Sequence, residues 1–145
     1  MKIHKLLVSL LLPALAIFLA AFAQHILTII WPGIREIRFP VVTADSYFVV
    51  LSSGFLCFLA GYILRRRGGG RAEFVCAMIA PTAYLCLMLW APIGDPIVEL
   101  DARIAWLHPI TLFFVAAAIL PLLGLVLGWS YSGARSPQGA VVHHP

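Results

Sequence analysis

Four long runs of this chain carry almost no charge. Leu6–Ile30, Tyr47–Leu64, Ala72–Ala91 and Pro109–Trp129 are apolar nearly throughout. A bilayer core of ~30 Å takes ~20 helical residues at ~1.5 Å each, and each run falls near the ~17–25 that a spanning helix uses. In hydrocarbon the backbone must bond to itself, so each run is expected to be a helix. Strands are not expected, because the runs are continuous and lack period-two alternation.

Composition points the same way. Of the 145 residues, 62% are hydrophobic and 11% charged, more apolar surface than a soluble domain of this size could hide. Disordered chains, disulfide scaffolds and nucleic-acid-binding domains do not fit. The expected architecture is an all-α integral membrane protein. Residues 1–131 would form one four-transmembrane-helix bundle with short loops, and 132–145 a small, polar tail. Neither repeats nor low-complexity segments occur.

Charge gives an expected orientation. Lys2, Lys5, Arg65, Arg66, Arg67, Arg71 and Arg135 fall on one side of the four runs, and Arg35, Arg38 and Arg103 on the other. By the positive-inside rule both termini are expected in the cytoplasm, with the chain in a cell (inner or plasma) membrane. Trp31, Tyr47, Trp90 and Trp106 would mark the outer interface, and Tyr62, Trp129 and Tyr131 the inner one. The basic group Arg65, Arg66, Arg67 and Arg71 is a candidate contact for anionic lipid. Met1–Ala23 also has marks of a signal peptide: Lys2 and Lys5, an apolar stretch, and Ala21-Phe22-Ala23. The run continues to Ile30, too long for a signal core and suited to a span.

Lipid gives helices no hydrophobic reason to associate, so close contact through small residues must do so. Gly124 and Gly128 form a G-x-x-x-G pattern, and Ser53, Cys57 and Gly61 recur at i, i+4, i+8. These are candidate packing faces, either within the bundle or toward a second chain. Further small residues line the first and third runs, and Pro13, Pro81 and Pro121 are expected to bend three helices. In the loop after the third run, Asp95 and Pro96 open a pattern of Ile97, Leu100, Ile104 and Leu107. That spacing predicts a short amphipathic helix on the outer surface.

Chemistry-bearing residues are sparse. Cys57, Cys76 and Cys86 all fall inside runs and form no C-x-x-C. They read as small apolar residues. Glu73 sits at a helix start, where the dipole favours it. No acid lies mid-bilayer in the first run, so coupled transport of the small multidrug-exporter kind is not expected. Gly68-Gly69-Gly70 lacks the context of a nucleotide loop, and no catalytic set can be named. His25 lies roughly 8 Å inside the first run. Gln24, Thr28, Ser52, Ser53 and Tyr84 fall at similar depth, with His108 at the surface.

This polar layer could hold a quinone or lipid head group. Alternatively, His25 and His108 could ligate haem, or a metal together with Asp95, Glu99 or Asp101. More simply, its members could hydrogen-bond among helices. The tail's His143 and His144 could hold a metal loosely. The preferred reading is a small non-catalytic integral membrane protein, an accessory or assembly subunit of a larger membrane complex, with no cofactor expected. Its partners would be the bilayer and other membrane subunits, or further copies of itself, and not nucleic acid. A ligand-binding protein and a small homo-oligomeric channel or transporter are the alternatives.

Overall fold

The computed structural model describes residues 2–37, 43–90 and 109–134. These hold four α-helices: α1 (Lys2–Ile30), α2 (Ala44–Arg66), α3 (Arg71–Trp90) and α4 (Pro109–Ala134). A short 3₁₀ turn, Pro32–Arg35, follows α1. The described residues contain no strand. Three helices are long and apolar enough to cross a membrane: Ile3–Ile30, Ala44–Arg66 and Val115–Ser132. The amphipathic segment expected over 97–107, with Asp95, Glu99, Asp101 and His108, lies outside the described residues, as do His143 and His144. α4 runs to Ala134 rather than stopping at the expected Ser132 boundary, and Ser132 is buried.

The helices alternate in direction. At one end Gln24 of α1 meets Asp45 of α2, and Tyr47 meets Phe113 of α4 edge-on with ring centroids 5.0 Å apart. At the other, Arg65 of α2 and Phe74 of α3 both lie against Trp129 of α4. α2 packs most closely on α4, and α1 packs on α2 and α3.

Small side chains fill the interior and large ones cover the exterior. Ala16, Ala20, Cys57, Ala60, Ala77, Ala117 and Ala118 are buried, with Leu125 the largest side chain fully enclosed. Leu7, Leu11, Leu15, Phe18, Phe55, Val75, Leu87 and Leu127 are all at least half exposed. Pro13, Pro81 and Pro121 are fully buried, and each helix continues through its proline. A proline has no N–H to satisfy, so its ring can face the interior without stranding a donor there.

The α2–α4 seam is built on glycine. A Cβ on Gly124 would collide with the carbonyl oxygen of Gly54, one on Gly128 with that of Phe58, and one on Gly61 with that of Leu125. Backbone therefore lies against backbone, the close approach that small residues permit. Cys57 and Ser53 are buried beside this seam.

α2 ends in a Schellman turn. Gly68 takes φ +79°, while the Gly69 N–H donates to Leu64 O at 3.1 Å and the Gly68 N–H to Arg65 O at 3.0 Å. The Glu73 carboxylate then accepts from the Gly70 N–H at 2.9 Å, half of a capping box for α3. A seven-residue link in sequence thus becomes a tight reversal.

Candidate functional site

The polar residues at the Gln24 end form one cluster, centred on Asp45. This carboxylate sits in the first turn of α2, where the helix dipole favours an anion. It is 6% exposed. Gln24 Nε2 donates to Asp45 Oδ2 at 3.1 Å, linking α1 to α2. Arg35 Nε stands 4.0 Å from the same oxygen, with its side chain 66% exposed. An ion pair that long and that wet contributes little. Among the described residues, Asp45 Oδ1 is buried without a hydrogen-bond partner.

The backbone explains why these groups meet. The Ala44 N–H donates to Ile37 O at 3.0 Å, which closes the chain between the 3₁₀ turn and α2. Thr43 caps α2 from extended backbone, and its hydroxyl lies 3.1 Å from that of Ser46. Arg35 Nη2 also reaches Thr28 Oγ1, at 3.5 Å. Three elements therefore converge within about two turns of the helix ends.

The polar layer expected around His25 is divided differently. Gln24 enters the cluster and Thr28 borders it, donating to His25 O at 2.8 Å. His25 itself is exposed on the outside of α1. Ser52 donates to Phe48 O at 2.7 Å and Ser53 to Val50 O at 2.9 Å, so both hydroxyls bond within α2. Tyr84 of α3 is half-buried. No group of three or more His, Cys, Asp or Glu among the described residues could hold a metal ion.

The sequence reading used Arg35 only for orientation and gave Asp45 no role in a site. The available signal was an aspartate two residues before an apolar run, with an arginine ten residues earlier. Within the chain, Gly124 and Gly128 lie against α2, and Gly61 lies against α4. Of the cysteines, Cys57 is buried, Cys76 half-buried and Cys86 exposed, all as free thiols.

Basic residues gather at the opposite end. Arg65 places its guanidinium 5.5 Å from the Trp129 ring centroid and donates to Gly69 O at 3.0 Å. Arg66 lies over Tyr62 at 5.7 Å. Both are cation–π distances. Comparison with protein families, with curated proteins and with solved structures returns no match to this chain.

Proposed function

We propose that this chain is a small integral membrane protein that crosses the bilayer four times, α3 included, with both termini in the cytoplasm. Its role is that of a non-catalytic accessory or assembly subunit of a larger membrane complex. One observation carries this reading: the molecule has its large apolar side chains outside and its small ones inside. In water that arrangement would expose a continuous apolar surface, which soluble monomers rarely tolerate. Lipid or a membrane partner removes the penalty. Lys5, Arg65, Arg66, Arg67 and Arg71 at one end support the orientation.

α1 supports the subunit role. Of its apolar window 22% is buried, against 39% for those of α2 and α4. It therefore leaves more of its surface for a neighbouring subunit than α2 or α4 does. Native mass spectrometry of the protein extracted in mild detergent tests this. A larger membrane subunit at fixed stoichiometry is the expected result. A lone chain in every mild extract would overturn it.

Asp45 favours a second reading, a ligand site at the outer end. A buried carboxylate at a helix end could accept from a quinone hydroxyl or a lipid head group. Such a site would centre on Asp45 and Gln24 rather than on His25. Asp45→Asn should then lower the amount of co-purifying small molecule. Unchanged ligand content in a folded variant would remove this reading.

A further inference from the structure

At the basic end a cavity of about 130 Å³ opens between the first turns of α1 and the α2–α3 reversal. Its polar wall is made by His4, Lys5, Arg67 and Glu73, with the backbone of Gly68 and Gly69. Arg65, Arg66 and Arg67 do not share the task. Arg65 is held on Trp129 and Gly69, and Arg66 on Tyr62. Arg67 lines the cavity together with Lys5. Glu73 has one oxygen committed to the Gly70 N–H. Two cations thus line the cavity with one tethered carboxylate, which leaves it net positive.

A shallow apolar groove of about 500 Å³, open to the exterior, lies along α1 and is lined by residues of that helix alone, Val8, Leu11, Leu15 and Phe18 among them. Val8 lines both the basic cavity and this groove. From Val8 to Phe18 the helix rises ~15 Å, half a bilayer core. A cationic cavity at one end and an apolar groove running from it are the two parts that a phospholipid requires.

We propose that these two features form one binding site for an anionic phospholipid. Its phosphate sits between Lys5 and Arg67, and an acyl chain lies along Leu11, Leu15 and Phe18. The site rests on the membrane reading above. It differs from a diffuse basic patch in using Arg67 and Lys5 and sparing Arg66. The groove favours a lipid over free phosphate, which has no apolar part to place there.

The test uses the full chain reconstituted in vesicles. Flotation with pure phosphatidylcholine vesicles after an alkaline wash comes first. Failure to float would overturn the membrane reading itself, and the lipid site with it. Mixed vesicles of phosphatidylcholine and phosphatidylglycerol then supply the lipids, and native mass spectrometry reads which are retained. Wild type should hold phosphatidylglycerol preferentially. Lys5→Gln and Arg67→Gln should each lower that preference about fivefold, the loss expected for one basic residue near an anionic surface. Arg66→Gln should change it less than about twofold, since its guanidinium is held on Tyr62. Leu15→Trp should fill the groove and reduce retention of the lipid. Equal losses from all three charge variants in floating protein would overturn the site, leaving only a general basic surface. Displacement of the lipid by inorganic phosphate, with no effect of Leu15→Trp, would also overturn it and indicate a soluble phosphate ligand.

Discussion

Between α2 and α4, glycines bring backbone against backbone, and only backbone atoms stand nearest the Cβ positions of Gly61, Gly124 and Gly128. Between α1 and α2, by contrast, Gln24 donates one hydrogen bond to a carboxylate whose other oxygen is unmatched among the described residues. The seam depends on shape, and shape tolerates no added atoms. The corner depends on polar pairing, which can be weakened by degrees. In a membrane, where hydrophobic attraction between helices is absent, the two mechanisms should fail differently.

The largest effect is expected at the seam. Gly128→Ile places its Cβ against the Phe58 carbonyl, which is backbone and cannot swing aside. The cost should reach or exceed the upper end of the ~1–3 kcal/mol typical of overpacking. Size-exclusion and thermal unfolding in detergent should show loss of the folded monodisperse form. A normally folded Gly128→Ile protein would mean that α2 and α4 do not approach as described.

A smaller effect is expected at the corner. Asp45→Ala removes the acceptor for Gln24, and Gln24→Leu removes the donor. Each should cost about 1 kcal/mol, between the values for charged hydrogen bonds in water and for interhelical bonds in membranes. The double variant should cost less than the sum, because both singles delete the same bond. Additive losses in a double-mutant cycle would show that the bond contributes nothing. Asp45→Asn should be the mildest of the set, since its amide oxygen can still accept from Gln24.

The reach of the sequence differs between these two regions for a physical reason. The apolar runs announced helices at 6–30, 47–64, 72–91 and 109–129, and α1 to α4 lie within a few residues of those limits. Length and continuity decide that a run is helical, and both are local. Gly124, Gly128 and Gly61 could be recognised as close-packing residues from spacing alone. Which helix they meet could not, because partner choice depends on the arrangement of all four. The corner was harder to read. Gln24 and His25 are neighbours, but successive residues on a helix point ~100° apart. One enters the cluster and the other faces outward. Their depth in the run is the same, and only the rotation of α1 against α2 separates them. Arg35 and Asp45 depend in addition on the Ile37–Ala44 backbone bond, which no periodicity encodes.

The α2–α3 reversal permits a further test, confined to the backbone. Gly68 takes φ +79° with open space around its Cβ position. Gly68→Ala should therefore cost ~1 kcal/mol, purely from the left-handed conformation. The measurement is a shift in unfolding midpoint. Gly69→Ala should cost more, since a Cβ there meets the Trp129 ring at 2.7 Å and the Leu64 carbonyl at 2.8 Å. Equal losses at the two positions would place Trp129 away from the turn.

The smallest effect should come from the outside of α1, and it bears directly on the solvent of the protein. Leu19 is 43% exposed and the adjacent Ala20 is fully buried. In water, trimming an exposed leucine changes stability little and improves solubility. In a bilayer, the same side chain touches lipid in both the folded bundle and the separated helices. Leu19→Ala should then leave bundle stability within about 0.5 kcal/mol while lowering the partition of the chain into membranes. Ala20→Leu should reverse this pattern, overpacking the interior while raising the apolarity of the run. Unfolding midpoints and membrane extraction at alkaline pH, read together on both variants, separate the two faces of one helix. If Leu19→Ala destabilised the bundle as much as Ala20→Leu, the exposed face of α1 would be an interhelical contact rather than a lipid-facing one.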